Sequence, residues 1–193
     1  MITATILAAG LSHRMGKPKM ALPWAGTTVL GRVLLVVRAA GVEDLLVVTG
    51  AAREAVEAIC LGAGVRTVPN PDYESGEMLS SLQIALRNLP PASRAALVVL
   101  GDQPSIQESV VDAVIRSHTE SGASLVVPSY QRRRGHPWLV GREWWAEILE
   151  MQPTETPRDF LNRHSSAIHY VQTGSASILQ DIDTPEEYLK SRP

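Results

Sequence analysis

Residues 8–19 read Ala8-Ala9-Gly10-Leu11-Ser12-His13-Arg14-Met15-Gly16-Lys17-Pro18-Lys19, directly after the apolar run Ile2 to Leu7. Small residues let a backbone approach a ligand closely, and Gly10 and Gly16 can take φ values that other residues avoid. Arg14, Lys17 and Lys19 add three cations within six positions. A flexible turn with exposed N–H groups and cations is suited to phosphate. Two phosphate motifs do not fit. A P-loop needs G-x-x-x-x-G-K-[ST], but Gly16 comes one residue late and Pro18 stands where the hydroxyl belongs. The dinucleotide fingerprint lacks its second glycine. The competing reading is an ordinary turn with solvated basic residues.

Later segments carry groups that suit the same chemistry. Asp102 follows the apolar run Leu97-Val98-Val99-Leu100 and should stand where that strand leaves the core. It is either a loop hydrogen-bonder or a ligand for a divalent cation. The metal reading is favoured, because Mg²⁺ is commonly held by one or two carboxylates plus substrate phosphates. Asp183, in Asp181-Ile182-Asp183-Thr184-Pro185, is a second carboxylate, although Asp-Thr-Pro is also a usual way to begin a helix. Arg132-Arg133-Arg134 precedes Gly135-His136-Pro137. Such runs are mostly solvated surface, but this position favours an anion, the natural candidate being an acceptor's terminal phosphate. Trp144 and Trp145 invite a stacking role; at least one is expected in the core instead, since adjacent helical residues point in different directions.

The elements that must position these groups alternate. A buried strand ends at Thr5-Ile6-Leu7, and helical spacing of Val29, Leu30, Val33, Leu34 and Val37 predicts a helix over 27–40, ended by Gly41. A strand at 45–48, a helix at 53–61 and a short strand at 65–68 follow. Pro69-Asn70-Pro71 breaks the pattern before a helix at 78–89. The strand at 97–100, a helix at 106–119 and a strand at 124–127 complete a β-α-β-α-β-α-β-α-β order. That order implies a mostly parallel sheet with helices on both faces. The second half is less regular: a loop at 131–136, a helix carrying Trp144 to Leu149, a helix at 156–164, and strands at 168–171 and 177–179. A last helix at 186–190 has Thr184 as N-cap and Pro185 at N1.

Composition sets the bounds. The chain has 193 residues, 45% hydrophobic and 20% charged, enough for one α/β domain. A net charge of −2 gives no global attraction to nucleic acid or membrane, so any anion site must be local. One cysteine, Cys60, excludes an intramolecular disulfide and a cysteine zinc site, and the five histidines lack i, i+4 pairing. No apolar stretch approaches the ~20 residues needed to span a bilayer. The cytoplasm is the expected compartment.

Five segments together resemble the molybdenum cofactor cytidylyltransferase (MocA-like) family, within the MobA-like NTP transferases: Leu7-Ala8-Ala9-Gly10-x-Ser12-x-Arg14-Met15-Gly16-x-x-Lys19, Gly76-x-Met78-x-Ser80-Ser81-Leu82, Gly101-Asp102-Gln103-Pro104, Arg134-Gly135-His136-Pro137, and Asp181-Ile182-Asp183-Thr184-Pro185. The resemblance implies a Rossmann-like fold of the nucleotide-diphospho-sugar transferase type. It implies a single domain whose residues 1–105 bind nucleotide and 106–193 the acceptor. Leu7, Ala8, Ala9, Gly10, Asn70 and Ser81 would bind the nucleotide, with Ala8, Ala9, Gly10 and Ser81 at base or ribose, Arg14 at the β/γ-phosphates and Lys19 at the α-phosphate, and with Arg14, Lys19 and Asp102 catalytic. Asp102 and Asp183 would hold Mg²⁺, while Arg134, Gly135 and His136 would face the acceptor. The implied reaction moves CMP from CTP to molybdopterin and releases pyrophosphate. A molybdoenzyme or its maturation chaperone would receive the product. Ala9, where the guanylyl branch carries glycine, favours CTP over GTP. The alternatives are a guanylyltransferase, a transferase acting on a sugar or alcohol phosphate, and a non-catalytic nucleotide-binding maturation factor.

Overall fold

The computed structural model describes residues 1–75 and 77–193, so Gly76 of the second segment lies outside the described residues. The chain begins with β1 (Ile2–Ala8), a small hairpin of β2 (Pro23–Trp24) and β3 (Thr27–Thr28), α1 (Val29–Ala39) and β4 (Asp44–Thr49). It continues through α2 (Arg53–Gly62), β5 (Arg66–Pro69), α3 (Glu77–Arg87), β6 (Ala95–Leu100) and α4 (Glu108–Ser121). The remainder is β7 (Leu125–Tyr130), β8 (Arg133–Arg134), β9 (Trp138–Gly141), α5 (Trp145–Glu150), α6 (Pro157–Arg163), β10 (His169–Gln172) and α7 (Pro185–Ser191).

The main sheet runs β10-β7-β9-β6-β1-β4-β5, with β8 paired to β7. β1 lies parallel between β4 and β6, with Ile6 opposite both Val47 and Val99. Strand alternation sorts the core into two layers. Ala4, Ile6, Val47 and Leu97 pack with residues of α1, α2 and α4 on one face. Leu7, Val48, Val98 and Trp138 pack with α3, α5 and α6 on the other. Helices therefore cover both faces, as expected. Each Val or Leu so buried contributes about 1.5–3 kcal/mol, and a one-residue slip of β1 would turn its whole set to the wrong layer. The chain steps from β1 to β4 in one direction and later places β6 on the opposite side of β1. That reversal opens a crevice at the carboxyl ends of β1 and β6.

Three segments differ from expectation. The stretch 131–136 is not simply a loop: Gln131 (φ 49) and Arg132 (φ 64) make a two-residue turn joining β7 to β8, with Tyr130 opposite Arg133. Positive φ at both turn positions is the hairpin geometry normally written Asn-Gly, which hid it in the sequence. β9, also unexpected, lies antiparallel between β6 and β7. Its four residues are uniformly buried and too few to show a period. The expected strand at 177–179 is a 3₁₀ turn, Ala176–Leu179, begun by the Ser175 hydroxyl accepting from the Ser177 N–H. The last helix starts as expected: Thr184 accepts from Glu187 N, and Glu187 Oε2 accepts from Thr184 N.

Candidate functional site

Loops from three parts of the chain meet at the crevice. After β1 the backbone turns through Ser12 (φ 52) and Gly16 (φ 61) around a single 3₁₀ turn, His13–Met15. Gly16 needs the freedom expected of it; Gly10 does not take positive φ and has open space where a Cβ would stand. A second 3₁₀ turn, Lys19–Ala21, aims Lys19 back toward the sheet. After β6, Gly101 N donates to Leu7 O and delivers Asp102 beside that loop. Ile182 N donates to Asp102 O, while Ile182 packs with Met15, Trp24 and Val29, and Tyr188 OH donates to Pro23 O. The third strap is thereby fastened to the first, and Asp183 is fixed between them.

At the centre lies Lys19, whose Nζ donates to Asp102 Oδ2 at 2.5 Å and to Asp183 Oδ1 at 3.0 Å. Arg14, largely exposed, donates to Asp183 Oδ2 at 2.7 Å. Asp183 is therefore no helix cap; Thr184 has that role, and the Asp183 carboxylate faces the cations. Burial pulls the Lys19 ammonium down, but Asp102 and Asp183 more than offset it and raise its pKa. Burial pushes the Asp102 carboxyl up, only partly opposed by Lys19 and reinforced by Asp181 and Asp183. Asp183 also meets some burial penalty, but Lys19 and Arg14 hold it below the usual carboxylate range. The opposite pulls on Lys19 and Asp102 have one cause: several carboxylates share one buried ammonium.

Excess negative charge around hard oxygen donors suits a divalent cation. Among the described residues no three His, Cys, Asp or Glu side chains gather in metal-binding array. Two carboxylates with the remaining positions left to a ligand's oxygens is the usual Mg²⁺ pattern. The Lys19 ammonium already marks where a cation between Asp102 and Asp183 is held. The donor set fits.

Beside this cluster is a cavity of about 350 Å³. Leu7, Ala9, Gly10, Lys19, Ser81 and Asp102 line it. Other expected residues are placed differently. The Ala8 methyl is buried among α1, α2 and α4, leaving only its backbone for a ligand. Asn70, 2% exposed, is not in the wall; its Nδ2 donates to Ser80 Oγ and Ser81 Oγ. It can act on a ligand only by orienting Ser81. Arg14 reaches Asp183 outside the cavity wall. Tyr73 and Glu74 line the cavity and were not anticipated; an aromatic-acid pair in a turn after Pro69-Asn70-Pro71 gives no periodic signal.

Met78 lines this cavity and also a larger one of about 950 Å³, so the two adjoin. Arg132, Arg133, Arg134 and Arg158 line the larger cavity, with His136, Trp138 and Tyr170, and no acidic residue is among its described lining residues. The Arg134–Pro137 strap is threaded tightly: Gly135 N donates to Pro128 O and His136 N to Ile178 O, and a Cβ on residue 135 would overlap Ile178. Burial lowers the His136 imidazole to about 4, so it is neutral at pH 7. Trp145 is 5% exposed and donates from Nε1 to Val140 O, as a core residue should. Trp144 packs edge-on against Phe160 and at a tilt against His164, away from both cavities.

A pH dependence of stability follows from His136. Its folded pKa is depressed, so its contribution is present above the unfolded value near 6.5 and is lost as pH falls toward 4. Urea denaturation should show about 2 kcal/mol less stability at pH 5 than at pH 7 from this residue, taking ~1.4 kcal/mol per pKa unit. His136→Gln should flatten that limb; an identical pH profile in the variant would show that His136 is not its source.

The MobA-like NTP transferase domain family matches residues 4–168. Among curated relatives, the molybdenum cofactor cytidylyltransferase of Escherichia coli (strain K12) is 28% identical over 99% of this chain and 95% of its own length. Nicotine blue oxidoreductase of Paenarthrobacter nicotinovorans is 27% identical over 98% of this chain and 95% of its own length. A Mycobacterium tuberculosis protein, Rv0371c, solved in complex with manganese, superposes with a TM-score of 0.79 at 28% identity, covering 98% of this chain and 96% of that one. The solved neighbours carry the nucleotide-diphospho-sugar transferase fold. Among the described residues no helix is long and apolar enough to cross a membrane.

Proposed function

The chain belongs to the MobA-like NTP transferase family and is a nucleotidyltransferase, and on that premise we propose that it transfers CMP from CTP to the terminal phosphate of molybdopterin, releasing pyrophosphate, with Mg²⁺ as the working cation. The observation that carries the reading is the pair of adjoining cavities. One opens on Lys19 and Asp102, the other is walled by four arginines with no acid among its described lining residues, and Met78 lines both. At 28% identity a relative's base and acceptor do not transfer with its name. The site geometry and Ala9 supply the support. In this reading residues 1–105 carry the nucleotide and 106–193 the acceptor, with Asp183 reaching back and Met78 reaching forward.

An acceptor phosphate oxygen attacks the α-phosphorus while the bond from that phosphorus to the bridging oxygen breaks, and pyrophosphate leaves with the electron pair. Lys19 releases the carboxylates and neutralises charge growing on the α-phosphoryl oxygens. Arg14 holds the departing pyrophosphate. Asp102 and Asp183 would hold Mg²⁺, which supplies Lewis-acid neutralisation of triphosphate oxygens when bound. The cationic cavity overcomes repulsion between two anions, so positioning and charge account for the catalysis. A phosphate monoester is already ionised near neutral pH and needs no general base.

Pyrophosphate release from CTP or GTP, each with Mg²⁺ and molybdopterin or a sugar phosphate, tests the assignment. CTP with molybdopterin should be the preferred pair; consumption of GTP alone, or turnover only with a sugar phosphate, overturns it. Ala9 lines the nucleotide cavity, and one methyl group is worth ~1–3 kcal/mol of discrimination. Ala9→Gly should therefore lower the CTP:GTP ratio of kcat/KM about tenfold. An unchanged ratio would remove Ala9 from base selection.

A further inference from the structure

The arginines of this protein fall into distinct groups by what holds them. Arg14, Arg53, Arg66, Arg116 and Arg163 are each bound to a carboxylate. Arg134 is not. Its Nε donates to Tyr170 OH at 2.9 Å and its Nη1 to Asn162 Oδ1 at 2.8 Å, with the guanidinium carbon 5.7 Å from the Tyr170 ring centroid. Both partners are neutral, and no carboxylate among the described residues pairs with it. Tyr170 comes from β10 and Asn162 from α6, so two elements clamp a residue of β8. Arg132, Arg133 and Arg158 line the same cavity without such a clamp among the described residues.

We propose that Arg134 is the pre-organised anchor for the acceptor's phosphate, and that Asn162 and Tyr170 are the positioning residues that present its charge uncancelled. This rests on reading the larger cavity as the acceptor site. A guanidinium has five N–H donors in a fixed fork. The clamp uses two and leaves three, including both on Nη2, for a phosphate to accept from in bidentate fashion. A carboxylate at position 162 would hold the guanidinium at least as firmly but cancel its charge. The amide oxygen holds it and leaves the charge to the ligand. Fixing the fork beforehand also removes the ordering cost that a free arginine would meet on binding.

Asn162→Asp separates this role from a structural one, because it preserves or strengthens the clamp while neutralising the anchor. The first readout is inorganic phosphate titrated into the full-length protein saturated with Mn²⁺ and α,β-methylene-CTP, which occupies the nucleotide site without reacting. The phosphate dissociation constant should rise at least tenfold in Asn162→Asp and about threefold in Tyr170→Phe, with melting temperatures unchanged or higher for the former. The second readout is steady-state turnover: KM for molybdopterin should rise by similar factors while KM for CTP stays within twofold. Phosphate affinity equal to wild type in Asn162→Asp overturns the anchor, as does a wild type that does not bind phosphate. Phosphate binding that is lost in the variant, alongside no turnover of molybdopterin by the wild type, leaves the anchor standing and removes only the acceptor's identity.

Discussion

Asp102→Asn should lower the rate of pyrophosphate release at least ~10³-fold while leaving the protein folded. The substitution is isosteric, and it removes the one buried carboxylate that joins Lys19 at the mouth of the nucleotide cavity. A thousandfold loss is about 4 kcal/mol of transition-state stabilisation, the order expected when a Lewis acid loses one of two protein ligands. Folding should be little affected, because the amide keeps the carboxylate's shape and Lys19 keeps its bond to Asp183. Manganese binding followed by electron paramagnetic resonance should weaken in the same variant. Turnover at the wild-type rate would mean that Asp102 holds no metal in this reaction.

Lys19→Met should have a different signature. Catalysis falls ~10²–10³-fold, since charge developing on the α-phosphoryl group loses its neutralising partner. Manganese binding in the absence of nucleotide, however, should tighten. The Lys19 ammonium stands 2.5 and 3.0 Å from the very oxygens that would hold a cation. A divalent ion that those oxygens would hold could not share the position with it. In the proposed mechanism metal entry therefore requires Lys19 to leave, which it should do readily only when a phosphate is present to receive it. By linkage, nucleotide and metal should then promote each other's binding to the same degree. Removing the lysine also leaves Asp102 buried without its partner, while Asp183 keeps its bond to Arg14, an effect of about 3–5 kcal/mol. The variant should melt early as the metal-free protein and recover when Mn²⁺ is added. Thus Asp102→Asn and Lys19→Met, both inactive, should move metal affinity in opposite directions. Weaker manganese binding by Lys19→Met would show that the lysine helps the cation rather than competing with it.

Much of the first half was legible because its signals are local. Uniform apolar runs over 45–48 and 97–100 and the helical stripe from Val29 to Val37 each mark an element within one window of sequence, and the structure has them within a few residues. Thr184 and Pro185 announced the last helix by capping chemistry alone. The second half resisted for equally physical reasons. A hairpin turn built on Gln131 and Arg132 in positive φ carries no Asn-Gly signature, and the four buried residues of β9 are too short for periodicity to distinguish strand from helix. The 177–179 run, apolar in part, became a 3₁₀ turn because the Ser175 side chain bonded its backbone locally.

The sequence by itself determined the alternating α/β order, the cationic turn after the first strand, and the presence of Asp102 and Asp183 in segments that leave the core. Those are properties of residue types and short spacings. Only the tertiary structure decided what these groups do to one another. Asp183 is 169 positions from Arg14 and 164 from Lys19. Its choice between capping a helix and facing a cation was settled by the packing of Ile182 and Tyr188 against the first loop. Arg134 likewise reads as one cation in a basic run until α6 and β10 bring Asn162 and Tyr170 to it. Electrostatic character depends on distance in space, which sequence spacing does not encode once the chain has folded back across a sheet.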